Sequence, residues 1–169
     1  MFVRKSCVAD IPAIAALYES AKSLLKSNGI NQWQTGYPNP DSAAADVSAG
    51  NSYVIEADGI VIGTAYIAFG EEPTYRAIYD GTWPSDISFY GFVHRVAVSP
   101  AFAGKGLAAL LFEKAAQLAA EQHISTLRCD THEENFAMQK TLLRNGYQKC
   151  GIILLENGDR RIGYEKTLS

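Results

Sequence analysis

Two glycines flanking a lysine, at the start of an apolar helical stripe, carry the clearest chemistry in the sequence. In His94-Arg95-Val96-Ala97-Val98-Ser99-Pro100-Ala101-Phe102-Ala103-Gly104-Lys105-Gly106-Leu107-Ala108 a β-rich run stops at Ser99-Pro100. Gly104 then opens a helix whose apolar face is Leu107, Leu110, Leu111, Ala115 and Leu118. Gly104 and Gly106 remove side chains where a ligand must approach backbone, and the N–H groups of the helix's first turn point into the same space. The helix dipole adds about half a positive charge there, and Lys105 adds a mobile full charge. The combination suits a pyrophosphate, although two glycines at a helix entry also occur with no ligand. A P-loop is excluded, because Gly106 follows the lysine where Ser or Thr is required. On the strand, His94 carries an imidazole, the side chain whose charge change falls near neutral pH and so suits proton removal there. Strand alternation places it on one face with Val96 and Val98. The alternative for His94 is a hydrogen-bonded structural histidine.

The elements that position these residues follow from periodicity. Residues 2 to 7 read as a first strand, and Asp10 as the cap of a helix with Pro12 in its first turn. Ile14, Leu17, Tyr18, Ala21, Leu24 and Leu25 form that helix's apolar stripe, which ends before Asn28-Gly29. Residues 30 to 40 have no regular period, and Asp41 can cap a short Ala-rich helix. Residues 52 to 57 and 60 to 68 are β-rich runs joined by Asp58-Gly59, which predicts a type I′ hairpin. A long polar and aromatic loop leads to a strand over 89 to 98, followed by the helix opened at Gly104 and a strand over 124 to 129, a crossover that favours parallel pairing. A helix over 135 to 144 closes at Asn145-Gly146, and residues 147 to 155 and 161 to 167 form strands around Asn157-Gly158. The whole of 1–169 reads as one domain.

Composition excludes several classes. Fifteen basic against eighteen acidic residues give a net charge of -3, with no like-charge block, so no nucleic-acid surface is indicated. No apolar run approaches the about 20 residues a membrane helix needs, and Met1-Phe2-Val3-Arg4 does not begin a signal peptide, so the expectation is a cytoplasmic protein without a membrane partner. Cys7, Cys129 and Cys150 include no CxxC pair, so neither a disulfide framework nor a zinc or other metal site is expected, and buried reduced thiols are the reading.

The strand-turn-helix from His94 to Ala108 resembles the cofactor motif of the GNAT superfamily, the acetyl-CoA-dependent N-acyltransferases. Its pattern is Q/R-x-x-G-x-G/A after a strand ending in a valine-like residue. Gly106 and Ala108 match the small positions, while Ala103 stands where Gln or Arg is usual. The resemblance extends over the first long helix, the variable loop, Asn135-x-x-Met138 and Asn145-Gly146-Tyr147. It implies an α/β (α+β) fold, with a mixed, mostly antiparallel central sheet of about seven strands and about four flanking helices, and a splayed central parallel strand pair.

The resemblance also implies roles. Coenzyme A, as acetyl-CoA, would contact Val96, Ala97 and Val98 through backbone groups. Its pyrophosphate would lie on Ala103, Gly104, Lys105, Gly106, Leu107 and Ala108. Asn135 occupies the position of a cofactor-proximal Asn, or is simply a helix cap. A backbone N–H near Val96 or Ala97 would stabilise the oxyanion. The family's base lies on this strand or is reached through water, which makes His94 the leading candidate. Asp130, or the His132-Glu133-Glu134 cluster, offers an alternative relay, and each has an ordinary capping or solvent-facing reading. The tyrosine that commonly protonates the departing thiolate is replaced by Leu142, leaving water or a hydroxyl such as Tyr90 or Tyr147. The loops that form the family's acceptor pocket contain Trp33, Gln34 and Tyr37, and Tyr75, Tyr79 and Trp83. These aromatic residues would otherwise cover the core or support a homodimer contact.

The expected function is transfer of acetyl to a primary amine by direct attack in a ternary complex, on a small molecule or a protein N-terminus. The competing expectation, motivated by Ala103 and Leu142, is a non-catalytic acyl-CoA-binding or sensor module. Cys129 has no adjacent base, so an acyl-cysteine route is not expected.

Overall fold

The computed structural model describes all 169 residues. The elements are β1 (Phe2–Lys5), α1 (Ile11–Ser27), α2 (Pro40–Ser48), β2 (Ser52–Ala57), β3 (Ile60–Gly70), β4 (Tyr90–Val98), α3 (Leu107–Glu121), β5 (Thr126–Thr131), α4 (Phe136–Arg144), β6 (Gln148–Leu154) and β7 (Arg160–Thr167). All seven strands belong to one sheet in the order β1-β2-β3-β4-β5-β7-β6. The pairs β1–β2, β2–β3, β5–β7 and β6–β7 are antiparallel, and β4–β5 is parallel, with α3 as the crossover such a pair requires. This is the mixed, mostly antiparallel sheet that the sequence implied. The parallel register pairs Gly91 with Leu127, Phe92 with Arg128 and Val93 with Cys129.

The chain gathers into two compact units, residues 1–67 with 94–114 and residues 68–93 with 115–169. In the first, α1 buries Ile14, Leu17 and Tyr18, one face at three- and four-residue spacing, against Ala43 of α2, Val54 of β2 and Ala97 of β4. Gly29, at φ 72°, terminates α1 with its amide on the carbonyl of Lys26, while Ile30 N–H reaches Leu25 O. The β2–β3 turn places Asp58 and Gly59 at φ 51° and 79°, the left-handed pair that a type I′ hairpin needs.

Two expected caps are corrected. Asp41 does not cap α2. Asn39 does, its Oδ1 accepting from Ser42 N–H at 3.0 Å while Ser42 Oγ accepts from Asn39 N–H at 3.2 Å, because Pro40 takes the first helical position. Asp10 precedes α1, but its side chain makes no cap hydrogen bond to that helix. It accepts instead from Cys7 N–H and from both Arg4 Nη atoms, at 2.7 to 2.9 Å. The first strand is correspondingly shorter than expected, ending at Lys5.

In the second unit, the long connection before β4 lies on strand backbone. Tyr79 exchanges two backbone hydrogen bonds with Ile152, and a Cβ on Gly81 would fall 1.9 Å from the carbonyl oxygen of Cys150. Glycine is therefore required there by close approach. Below this segment Arg128 and Glu165 form an ion pair at 2.9 Å, both almost wholly buried. Glu165 also accepts from Ser85 N–H at 3.1 Å, and the Arg128 guanidinium lies 4.3 Å from the Trp83 ring centroid and 4.1 Å from that of Tyr90.

Hydrogen bonds from Arg4, aided by Cys7 N–H and opposed by burial, hold the Asp10 carboxyl at about 2, below its ordinary 3.8. A carboxylate depressed in the folded state stabilises above its unfolded pKa, and that contribution is lost as pH falls through the folded value. Asp10→Asn should therefore cost about 2 kcal/mol at pH 7 and close to nothing at pH 2. Urea unfolding of both proteins across that range measures it.

Candidate active site

The turn after β4 differs in detail from a helix opened by Gly104. A single 3₁₀ turn at Pro100–Phe102 closes with Ala103 N–H on Pro100 O at 3.1 Å and Lys105 N–H on Phe102 O at 3.2 Å, and α3 begins only at Leu107. Gly104 and Gly106 both sit at φ 75°, on either side of Lys105. A Cβ on either would meet no protein atom within 4 Å, so the backbone conformation, rather than crowding, demands glycine, and the space in front of the turn is open. Ala103, Gly104, Lys105 and Gly106 are exposed, whereas the Leu107 side chain anchors the helix start in the core. The first amides of α3 have no intrahelical acceptor. Donors, dipole and the Lys105 ammonium, 5.0 Å from the Phe102 ring centroid, therefore share one open, anion-accepting surface.

The second feature had no signal in the sequence. Arg95, in the middle of β4, has φ 53°. A left-handed non-glycine residue within a strand marks a local bulge and costs about 1–2 kcal/mol. Arg95 is held by a two-pronged ion pair to Asp46 of α2, Nε to Oδ2 and Nη2 to Oδ1, each 2.7 Å, with both side chains largely buried. Its Nη1 donates to the Tyr37 hydroxyl, and the guanidinium lies 4.4 Å from the Tyr66 ring centroid. Burial raises the Asp46 pKa, and the Arg95 hydrogen bonds oppose that rise.

The bulge corrects the expectation of one unbroken face for His94, Val96 and Val98. The His94 ring stacks on Tyr66 at 6.1 Å and 18°, the same ring that Arg95 covers, so adjacent residues share a side and alternation does not carry through. Ala97 turns its side chain into the α1–α2 core, and Val96 and Val98 remain half-buried.

Of the expected acceptor residues in this unit, Tyr37 is exposed and bound to Arg95. Trp33, at φ 62°, packs edge-on to Tyr18 at 6.2 Å. Gln34 braces its own loop, its Nε2 donating to Lys22 O and Gln32 O.

The remaining candidates belong to the other unit. Asp130 Oδ2 accepts from the Tyr75 hydroxyl at 2.6 Å, and burial keeps that phenol neutral by pushing its pKa well above 10. Tyr147 is also buried and its pKa raised by burial, so it can act only as a neutral phenol. Asn135 Oδ1 accepts from Met138 N–H at 3.2 Å, which is the capping reading. His132 Nδ1 accepts from Glu134 N–H in the turn before α4. Tyr90 is buried, its hydroxyl bonded to Glu72 N–H at 3.1 Å, and Leu142 fills the core. Cys129 is buried with its pKa raised by burial, so it is no thiolate nucleophile. The expectation that all three thiols are buried fails at Cys7, which is exposed, and at Cys150, which is half-buried.

If the bulge requires a left-handed residue at position 95, the usual preference for Ala over Gly in a strand reverses there. Arg95→Gly should be more stable than Arg95→Ala by about 1 kcal/mol, since both lose the ion pair and only glycine is free of the φ penalty. Asp46→Asn, which leaves the guanidinium without its counter-charge, should cost about 3 kcal/mol. Denaturant midpoints of the three variants give both comparisons.

The model of the acetyltransferase (GNAT) family matches residues 14–147. A GNAT-family acetyltransferase from Streptococcus agalactiae is 36% identical over 99% of this chain and 95% of its own, with a TM-score of 0.90. Another from Listeria monocytogenes is 24% identical, covering 99% and 94% of the two chains, with a TM-score of 0.75. A Salmonella typhimurium protein solved with its cofactor acetyl-CoA is 20% identical over 100% and 94%, with a TM-score of 0.70. Among curated proteins none matches. No helix is long and apolar enough to cross a membrane, and no group of three or more His, Cys, Asp or Glu side chains is placed to hold a metal ion. The glycine turn ahead of α3 and the parallel β4–β5 pair thus sit in a chain that belongs to the acetyltransferase (GNAT) family, whose reaction is acyl transfer from acetyl-CoA.

Proposed function

We propose that residues 1–169 act as one cytoplasmic N-acetyltransferase domain, moving acetyl from acetyl-CoA to a primary amine on a small molecule or a protein N-terminus. The observation that carries this reading is the left-handed Gly104-Lys105-Gly106 turn, exposed between the end of β4 and the first amides of α3. Backbone groups of Val96 and Val98 suit the amides of the pantetheine arm. The amides of Gly104, Gly106, Leu107 and Ala108, with the Lys105 charge, suit its pyrophosphate. Ala103 adds no side-chain donor, so the anion is held by backbone and Lys105.

In a ternary complex the amine nitrogen attacks the thioester carbonyl. The C–N bond forms, the C–S bond breaks, the nitrogen gives up a proton and the leaving thiolate takes one up. His94, half-buried beside Tyr66, is the group on this strand able to accept the nitrogen's proton. An N–H of Val96 or Ala97 stabilises the oxyanion with no reorganisation, since the bulge fixes that backbone in advance. Positioning supplies much of the remaining rate.

Incubation with acetyl-CoA and a panel of primary amines, followed by free-thiol release, tests the reading. Turnover with at least one amine is expected, and silence across the panel despite coenzyme A binding would assign the chain the sensor role instead. His94→Ala should lower kcat by about 10²-fold and remove the acid limb of the pH-rate profile. An unchanged profile excludes His94 as the base. Lys105→Ala should weaken coenzyme A binding by about fivefold at low salt and by less at high salt, as calorimetry at two ionic strengths would show.

A further inference from the structure

The connection before β4 roofs a cavity of about 400 Å³, within the range of small-molecule sites. Its floor is aromatic and cationic. Tyr75, Tyr90 and Arg128 are buried, and Trp83 is half-buried. Ile78, Asp86 and Ile87 stand nearer the rim.

Arg128 is constrained on every side but one. The Trp83 and Tyr90 rings pack against its plane at 4.3 and 4.1 Å, Nε donates to Glu165 at 2.9 Å, and Nη2 donates to Ser85 O at 2.9 Å. Nη1 makes no hydrogen bond, although its side chain is only 4% exposed. A guanidinium nitrogen that makes no hydrogen bond to the protein, on a buried side chain that lines a cavity, can receive an oxygen acceptor. The planar fork, packed against two rings, loses little freedom when it binds one.

The other charges of the lining narrow the choice. Arg76 is committed to Glu71 at 2.7 Å, so it adds no free positive charge. Asp86 makes no hydrogen bond or ion pair, and its exposed carboxylate repels a purely anionic ligand while attracting an ammonium. One unmet donor in the floor and one unmet carboxylate at the rim, with apolar walls between, match a zwitterion. We propose that this cavity binds a small amino carboxylate, its carboxylate on Arg128 Nη1, its ammonium facing Asp86 and an apolar body against Tyr75, Ile78 and Ile87. The proposal does not rest on the acetyl-transfer reading.

The test uses the intact wild-type protein and L-phenylalanine as probe, followed by the indole N–H resonances of its two tryptophans. The Trp83 resonance should shift on titration, because its Nε1 bonds to Tyr75 O in the cavity wall, while that of Trp33 should stay put. L-phenylalaninamide and 3-phenylpropionate, each lacking one charge, should bind about tenfold more weakly. Either analogue binding as tightly as the amino acid, a shift at Trp33 alone, or no shift at about 10 mM probe would overturn the proposal. Arg128→Lys, which keeps the charge opposite Glu165 but loses the fork, should weaken L-phenylalanine to the level of the amide. Unchanged affinity in a variant whose spectrum is otherwise native would overturn the role of Arg128.

Discussion

The ion pair between Arg95 and Asp46 is the interaction on which the geometry of β4 depends. A left-handed arginine inside a strand is unfavourable by itself. Two charge-assisted hydrogen bonds at 2.7 Å, the Tyr37 hydroxyl and the face of Tyr66 together hold the guanidinium and offset that cost. The conformation of β4 at this point is stabilised by a side-chain contact to another element and not by its own β propensity.

This explains which parts of the molecule the sequence made legible. The seven strands and four helices were visible because each is a local pattern, the stripe of Ile14, Leu17 and Tyr18 or the Asp58-Gly59 hairpin, and local patterns survive in one dimension. The Gly104-Lys105-Gly106 turn was visible because only glycine adopts φ 75° without cost, so the residue type records the conformation. Arg95 adopts φ 53° with nothing in its identity to record it, and its partner Asp46 lies 49 residues away. A bulge enforced from outside the strand leaves no trace in the strand's own sequence. The cap of α2 failed on a smaller scale, since two polar residues flank Pro40 and only the proline's preference for the first helical position decides between them.

The connection before β4 shows the same limit. Its length marked it as more than a link, but its contacts run from Tyr75 to Asp130 and from Ser85 to Glu165, 55 and 80 residues apart. Aromatic residues that read equally well as acceptor walls or core cover are buried here and also line a cavity. Tyr75 and Tyr90 are buried, yet they line a cavity, because the buried pair of Arg128 and Glu165 beneath them requires hydrogen bonding and ring faces that a purely apolar core would not supply.

The two cationic devices of the chain differ in what they can discriminate. The turn ahead of α3 presents backbone donors that do not titrate, carry no side-chain shape and lie open to solvent, with Ala103 adding nothing. Such a surface recognises negative charge on a diester or pyrophosphate, and its grip is insensitive to pH wherever the phosphates stay ionised. A pH dependence of acetyl transfer must then arise at the amine and its base, and not at cofactor binding. Arg128 is the opposite case, a fork on a buried side chain with two nitrogens committed to the protein and lining a shaped cavity, where a ligand can be met only at a fixed position. Selectivity between closely similar small molecules is therefore a property the second device can have and the first cannot.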